Sequence, residues 1–173
     1  MEREHHAHGR WAVERVGCWV ITVSDTRTPQ TDESGGLIRT ELETHGHQVL
    51  RYQIVRDEPD QIRKLLEEAL ADDEVQAVIL TGGTGISPRD TTYEVVHQLI
   101  DKELPGFGEL FRWLSFQDRE VGPRAILSRA TAGVAKGKLI FSLPGSTGAV
   151  ELALKELILP VLGHAVYEVR RPG

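Results

Sequence analysis

The stretch of residues 75–90 constrains the fold of this chain more than any other part of its sequence. An apolar run at 77–80 ends at Thr81, and three glycines follow within four positions. A buried strand that ends in a glycine-rich loop before a helix is typical of α/β proteins. Because glycine has no Cβ, such a loop can bring backbone N–H groups close to an anion. The alternative is a tight strand-to-helix turn without a ligand.

The residues next to this loop narrow the class of ligand. The loop and the side chains expected to act with it are Thr81, Gly82, Gly83, Thr84, Gly85, Arg89 and Asp90. Residues 86–88 do not continue as the Gly-Lys-Ser/Thr of a Walker A loop, and they lack the third glycine of a dinucleotide fingerprint. An arginine offers fixed positive charge, and an aspartate offers oxygen ligands for a divalent metal. This combination suits a phosphorylated substrate.

Length and composition predict one domain and exclude several classes of partner. At 173 residues, 40% of them hydrophobic, the chain is expected to bury about 70% of its unfolded surface in a single domain over residues 16–170. A net charge of −6 argues against a general binder of nucleic acid or of anionic membranes. No apolar run approaches the length of a membrane span, and the one cysteine, Cys18, cannot form an internal disulfide. We therefore expect a cytoplasmic protein.

Residues 1–15 differ from the rest of the chain because they show no apolar periodicity. They include His5, His6 and His8 among charged residues. We expect a flexible tail here rather than a metal site.

Apolar periodicity predicts alternating strands and helices. Strands are expected at 16–23, 47–55, 77–80, 125–127 and 138–143, and helices around 37–42, 59–70, 92–102, 106–116 and 150–158. The last two strands are joined by residues 132–137, which is consistent with an antiparallel pair or a short return. The order predicts a three-layer α/β/α fold with a mostly parallel sheet and a short antiparallel element.

Polar junctions follow the predicted strands, and parallel strands place their carboxyl ends at one rim of the sheet, where ligands bind. The junctions contain Ser24, Asp25, Asp57, Thr81 to Asp90, Ser128, Arg129, Pro144, Gly145 and Ser146. Each has a simpler interpretation as well. Asp57 and Asp90 have the form of helix N-caps, and Ser24, Asp25 and Ser128 are compatible with ordinary turns. Their expected convergence at one rim favours a binding site.

A set of motifs occurs in an order that resembles one protein family. The motifs are Ser-Asp-Thr-Arg at 24–27, Asp32 with Ser34-Gly35, Asp57-Glu58, Thr-Gly-Gly-Thr-Gly with Pro-Arg-Asp at 81–90, Pro-Gly-Phe-Gly-Glu at 105–109, Leu-Ser-Arg at 127–129 and Leu-Pro-Gly-Ser at 143–146. Together they resemble the molybdenum-cofactor biosynthesis proteins of the MoaB/MogA type, which are related to the G domain of gephyrin. The match covers about residues 15–165, and the Gly-Phe-Gly-Glu run and the Pro-Gly-Ser ending are closer to the MoaB branch.

The resemblance implies an activity and its partners. It implies a molybdopterin-binding fold, a homotrimer or homohexamer, and Mg-ATP-dependent adenylylation of molybdopterin with release of pyrophosphate. The product would then serve a separate molybdenum-insertion protein. An alternative is a molybdopterin-binding carrier or accessory protein of the same fold without adenylyltransferase turnover.

The resemblance also implies roles for particular residues. Asp57 and Asp90 match required aspartates, which we expect to position Mg²⁺ and the triphosphate. Ser128 matches a substrate-site serine. The loops at 81–85 and 144–146 match nucleotide and pterin contacts, and Arg89 is expected to offset charge on the pyrophosphate. Glu94 is kept from the family pattern, whereas Tyr93 stands where a smaller residue is usual.

The aromatic stretch near residue 115 has two interpretations. Trp113, Leu114 and Phe116 follow a glycine-rich turn. They are candidates for a subunit interface, but an ordinary core position is the favoured prediction.

Overall fold

Six strands form one mixed sheet in the computed structural model, which describes residues 11–173. The strands are β1 (Gly17–Val23), β2 (Gln48–Val55), β3 (Ala77–Thr81), β4 (Lys102–Glu103), β5 (Thr131–Ala135) and β6 (Lys138–Leu143). Their order across the sheet is β2-β1-β3-β6-β5-β4. Neighbours among β1, β2, β3 and β6 are parallel, and β5 is antiparallel to both β6 and β4. The four parallel strands therefore end at one edge of the sheet.

Helices cover both faces of this sheet. They are α1 (Glu33–Thr44), α2 (Pro59–Ala71), α3 (Thr92–Leu99), α4 (Pro105–Gln117), α5 (Thr147–Ala153) and α6 (Leu162–Arg170). A 3₁₀ segment, Gly122–Leu127, follows α4, and a π-helical turn, Leu154–Ile158, follows α5.

Two separate apolar cores account for the three layers. Because side chains alternate along a strand, Cys18 and Val20 of β1 enter one core, and Trp19 and Ile21 enter the other. The first core packs against α1, α4, α5 and α6, and the second against α2 and α3. The predicted three-layer α/β/α fold with a mostly parallel sheet and a short antiparallel element is confirmed.

The antiparallel part of the sheet corrects one prediction. The strand predicted at 125–127 is wrong, because these residues form the end of the 3₁₀ segment. The antiparallel partner of β6 is β5, where the sequence pattern predicts a connection. Lys136 and Gly137 form the turn between them, with φ of 48° and 74°, which suits a tight hairpin. Gly133 is required within β5, since a Cβ there would lie 2.6 Å from the carbonyl oxygen of Lys102.

The helix predicted at 92–102 also ends earlier, at Leu99. Lys102 belongs to the short edge strand β4, which pairs with β5. No helix among residues 11–173 combines the length and the apolar character needed to cross a bilayer.

The segment before β1 packs against α6. The Val13 N–H donates to the Gly163 carbonyl at 2.9 Å, and the Trp11 and Tyr167 rings lie 5.6 Å apart between centroids. Further along, Arg15 and Arg170 border one shallow depression beside the amino ends of β1 and β2, at the edge opposite the carboxyl ends. His5, His6 and His8 of the predicted tail lie outside the described residues.

Candidate functional site

A cavity of about 870 Å³ opens at the carboxyl ends of the parallel strands. Among its lining residues are most of the predicted site residues: Ser24, Asp25, Asp57, Thr81, Gly82, Gly83, Thr84, Gly85, Asp90, Ser128, Pro144, Gly145 and Ser146. Arg89 and Glu94 are not among them. The structure thus brings together the polar junctions that the sequence placed at one rim.

Direct hydrogen bonds join the glycine-rich loop to the loop after β6. The Thr81 hydroxyl donates to the Pro144 carbonyl at 2.7 Å, and the Gly82 N–H donates to the Leu143 carbonyl at 2.9 Å. Ser34, in the first turn of α1, donates to the Gly145 carbonyl at 2.7 Å. The floor of the cavity is therefore fixed by contacts between loops rather than by a single loop.

The glycines of the loop are required by the protein's own packing. Gly82 has a φ of 104°, and a Cβ there would lie 2.2 Å from the Val23 carbonyl oxygen. Gly83 has a φ of 71°, and a Cβ there would lie 2.2 Å from the Thr92 hydroxyl. Larger residues at either position would be strained and would clash, with or without a ligand.

Asp57 has a carboxylate that receives little support from its surroundings. Its backbone N–H donates to Asp25 at 3.1 Å, but its side chain accepts no hydrogen bond from the described residues. Burial raises the pKa of Asp57, the neighbouring charges of Asp25 and Asp90 raise it further, and Arg89 opposes them. The helix-cap interpretation is wrong, since Glu58 holds the N-cap position of α2.

Asp90 is held by the turn in front of it. One carboxylate oxygen, Oδ2, accepts from the backbone N–H and the hydroxyl of Ser87 at 2.9 and 2.7 Å. The helix-cap interpretation is wrong here too, because Thr91 is the N-cap of α3. Oδ1 of Asp90 accepts no hydrogen bond from the described part of the chain, so Asp90 and Asp57 both offer oxygen atoms to a ligand.

Arg89 links three loops at the edge of the cavity. Its guanidinium binds Asp25 through Nε and Nη2 at 2.9 and 3.0 Å, and Nη2 also lies 3.1 Å from Glu58. Asp25, Glu58 and Arg89 follow β1, β2 and β3 respectively. These contacts occupy the side chain that was expected to offset charge on a pyrophosphate.

A second arginine, Arg129, holds the glycine-rich loop from the other side. Its Nε donates to the Gly85 carbonyl at 2.9 Å and its Nη2 to the Asp90 carbonyl at 2.8 Å, while Nη1 pairs with Glu94. This ion pair lowers the pKa of Glu94. The guanidinium also lies over the Tyr93 ring, 5.2 Å from its centroid. Glu94 and Tyr93 thus contact the arginine that supports the loop.

Ser128 reaches the cavity because β5 is antiparallel. It precedes β5, so its place at the carboxyl rim follows from the reversed direction of that strand. Its Oγ accepts from the Ala130 N–H at 3.3 Å, which leaves the hydroxyl proton available for a ligand.

The cavity wall also contains Asp32, a residue to which the sequence motifs assigned no site role. This side chain is only 5% exposed and accepts from the Thr22 hydroxyl at 2.6 Å, from the Gly35 N–H at 3.0 Å and from the Tyr52 hydroxyl. Burial and the bond to Asp32 raise the pKa of Tyr52 to about 12. The signal was present, since Asp32 belongs to one of the family motifs, but two of its partners, Thr22 and Tyr52, lie on β1 and β2.

The fit of the site to Mg²⁺ rests on the chemistry of its donors. Mg²⁺ is usually held by one or two carboxylates together with water and substrate phosphates. Asp57 and Asp90 line the cavity and supply two such carboxylates. A cation bound there would lower the raised pKa of Asp57. Within residues 11–173, no group of three or more His, Cys, Asp and Glu side chains is placed to hold a metal. The residues therefore fit a metal that arrives with a polyphosphate.

Outside the cavity, α4 carries an apolar ridge formed by Leu110, Trp113 and Phe116. These side chains are about half exposed, and the Trp113 and Phe116 rings lie 6.2 Å apart. The prediction that Trp113 and Phe116 belong to the core is wrong, because α4 buries Phe107, Phe111 and Ser115 instead.

Comparison with known proteins gives a consistent result. Residues 19–164 match the family described as a probable molybdopterin binding domain. The molybdenum cofactor biosynthesis protein B of Halalkalibacterium halodurans is 56% identical over 162 residues, which cover 94% of this chain and 95% of that protein. A crystal structure of a molybdenum cofactor biosynthesis protein B aligns with a TM-score of 0.89 at 46% identity, over 93% of this chain and 99% of the other.

A further crystal structure agrees with these matches. The tungsten cofactor synthesizing protein MoaB from Pyrococcus furiosus aligns with a TM-score of 0.81 at 40% identity, over 92% of this chain and 100% of the other. Both the sequence match and the shared fold extend across the sheet and the cavity-lining loops. This chain belongs to the MoaB/MogA family of molybdenum-cofactor biosynthesis proteins.

Proposed function

We propose that the chain is a molybdopterin adenylyltransferase, which uses Mg-ATP to convert molybdopterin to adenylyl-molybdopterin. The observation that carries the proposal is that Asp57 and Asp90 line the same cavity as the glycine-rich loop. Each has at least one carboxylate oxygen that accepts no hydrogen bond from the described residues. The family match supports the pterin as substrate, since its description names molybdopterin binding.

The proposed reaction needs positioning more than acid–base chemistry. An oxygen of the terminal phosphate of the pterin attacks the α-phosphorus of ATP, the bond from that phosphorus to the β-bridging oxygen breaks, and pyrophosphate leaves. A phosphate is already a nucleophile at neutral pH, so no strong general base is required. Asp57 and Asp90 would hold Mg²⁺, which neutralises triphosphate charge when bound. Ser128 would donate its hydroxyl proton to a phosphate or pterin oxygen.

The test is pyrophosphate release by purified protein with Mg-ATP and molybdopterin. We expect Asp57→Asn and Asp90→Asn to lower turnover by about a thousandfold or more, equivalent to about 4 kcal/mol of barrier, without unfolding the protein. Asp60→Asn, on the exposed surface of α2, serves as the matched control and should keep its turnover. Near-wild-type turnover in Asp57→Asn or Asp90→Asn would rule out a metal role for that residue.

A carrier or accessory protein that binds molybdopterin without turnover is the second candidate. The observation in its favour is that the description of the matching family names molybdopterin binding and no transfer reaction. Tight pterin binding by the wild-type protein without pyrophosphate release would establish this role instead.

We also propose that the chain forms a homotrimer or homohexamer and passes its product to a molybdenum-insertion protein in the cytoplasm. The apolar ridge on α4 supports an interface, because exposed aromatic residues are enriched at such surfaces. Light scattering of the wild-type protein and of Trp113→Glu tests the assembly. A monomeric wild-type protein would contradict it.

A further inference from the structure

The charges that line the cavity are unbalanced. Five acidic residues are among those that line it, and among the described residues Arg27 is the single lysine or arginine that does so. The five carboxylates belong to Asp25, Asp32, Glu33, Asp57 and Asp90. A ligand that carries phosphate groups would meet strong repulsion here unless cations offset it. A metal on Asp57 and Asp90 supplies one such cation, and the protein itself must supply any other.

The other arginines near the rim already bind protein groups. Arg89 is paired with Asp25 and Glu58, and Arg129 binds two carbonyl groups and Glu94. Neither lines the cavity. Breaking these contacts in order to bind a ligand would leave carboxylates without their partners, so neither side chain is suited to receive a phosphate.

Arg27 has the opposite arrangement. Its backbone N–H donates to the Ser24 hydroxyl oxygen at 3.0 Å, and one guanidinium nitrogen, Nη1, donates to the Thr31 carbonyl at 3.0 Å. The loop between these residues is braced by a turn in which the Thr31 and Asp32 N–H groups donate to the Thr28 carbonyl at 3.0 and 2.9 Å. The side chain is thus held beside the cavity by one of its N–H groups. It forms no ion pair with any carboxylate in residues 11–173.

We infer that Arg27 is the phosphate-binding cation of this cavity and contacts a phosphate group of the nucleotide or of the pterin directly. The inference rests on the proposed function for the identity of the two ligands. A guanidinium fork with free N–H groups matches two phosphate oxygens at once, which a lysine or a backbone amide does not reproduce. Arg27 would therefore do what the sequence had suggested for Arg89.

The experiment measures binding rather than turnover. Calorimetry gives the dissociation constants of Mg-ATP and of molybdopterin, each alone, for wild type, Arg27→Gln and Arg27→Lys. We expect Arg27→Gln to weaken binding of at least one ligand by about tenfold to a hundredfold, the usual effect of losing a hydrogen bond to a charged group. Arg27→Lys keeps the charge and should restore part of that loss. The ligand whose affinity falls identifies the source of the phosphate.

Arg171→Gln is the matched control, because it removes the same charge near the edge opposite the cavity, where Arg171 pairs with Glu168 at 3.3 Å. It should leave both dissociation constants within about twofold of wild type, a difference of about 0.4 kcal/mol. Unchanged affinity of Arg27→Gln for both ligands would overturn the inference.

The same measurements separate this inference from the proposed function. A wild-type protein that binds both ligands but releases no pyrophosphate would refute adenylyl transfer. The effect of Arg27 on binding would still be measurable in that case, because the assay requires no reaction.

Discussion

Asp32 and Asp57 line the same cavity, but the structure surrounds them in opposite ways. Asp32 is buried and accepts hydrogen bonds from Thr22, Tyr52 and Gly35. Asp57 is less buried, accepts no side-chain hydrogen bond from the described residues and has a raised pKa. A carboxylate with all its bonds made inside the protein is suited to hold a structure together, whereas one that lacks partners is suited to bind a ligand.

Among the expected changes in stability, the loss in Asp32→Ala is the largest. This change leaves several buried donors without an acceptor, and we expect a loss of about 3 kcal/mol in the free energy of unfolding. Urea unfolding at pH 7 measures it. Glu33→Ala, at the exposed neighbouring position, is the control and should stay within about 0.5 kcal/mol of wild type. A small effect of Asp32→Ala would mean that Asp32, like Asp57, does not stabilise the fold.

Tyr52→Phe tests one bond of the Asp32 group. Removing the hydroxyl should lower the free energy of unfolding by about 1 kcal/mol at pH 7. The folded protein holds the pKa of Tyr52 at about 12, above its ordinary value of 10.0, so the unfolded chain loses the proton first. Stability should therefore fall as pH rises between these two values. Unfolding curves recorded from pH 9 upward should show a shallower decline in Tyr52→Phe. Equal declines would argue against this role.

Asp57→Asn should act in the opposite direction to Asp32→Ala. The folded state raises the pKa of Asp57, so the ionised form destabilises the fold once the pH exceeds the ordinary value of 3.8. We expect the free energy of unfolding to rise by about 0–1 kcal/mol at pH 7, which is typical of partly exposed charges. Well below pH 3.8 we expect no rise. Thermal melting across this pH range measures the difference. A loss of stability at pH 7 would show that Asp57 also has a structural role.

Arg89→Gln should give the smallest effect, a change in pH dependence. Arg89 lowers the pKa of Asp57, so its removal should raise that pKa further. If adenylyl transfer requires ionised Asp57, the acid limb of the pH profile of kcat/KM should move to higher pH. Arg171→Gln controls for the loss of one charge. Coincident profiles for Arg89→Gln and wild type would show that Arg89 does not influence the pKa of Asp57.

The sequence predicted the parts of the molecule whose residues are contiguous in the chain or follow neighbouring parallel strands. The segment at 77–85 reads as strand and loop because its apolar residues and its glycines are contiguous, and parallel strands then bring Asp57 and Asp90 to one rim. β5 could not be predicted in this way. Its residues are small and include Gly133. A side chain at Gly133 would clash with the Lys102 carbonyl of β4, a strand that is distant in sequence.

The same limit applies within the site. Arg27 and Arg89 both follow strands and both carry a positive charge, so the sequence alone does not separate them. They differ in their partners. Asp25 and Glu58 bind Arg89, whereas the hydrogen bonds of Arg27 within residues 11–173 go to backbone and hydroxyl groups of its own loop. The partners of Asp32 were hidden for the same reason, since Thr22 and Tyr52 come from two different strands.

Arg15 and Arg170 border the same depression beside the amino ends of β1 and β2, and their proximity is useful for engineering the protein. Attachments made near either residue would project from the edge opposite the cavity. A fluorescent reporter or an affinity handle joined there should leave ligand access unaffected, and a short peptide could join the two positions in a circular permutant. New ends could then be opened in the exposed Lys136-Gly137 turn, where the chain would tolerate a cut without losing the loops that line the cavity.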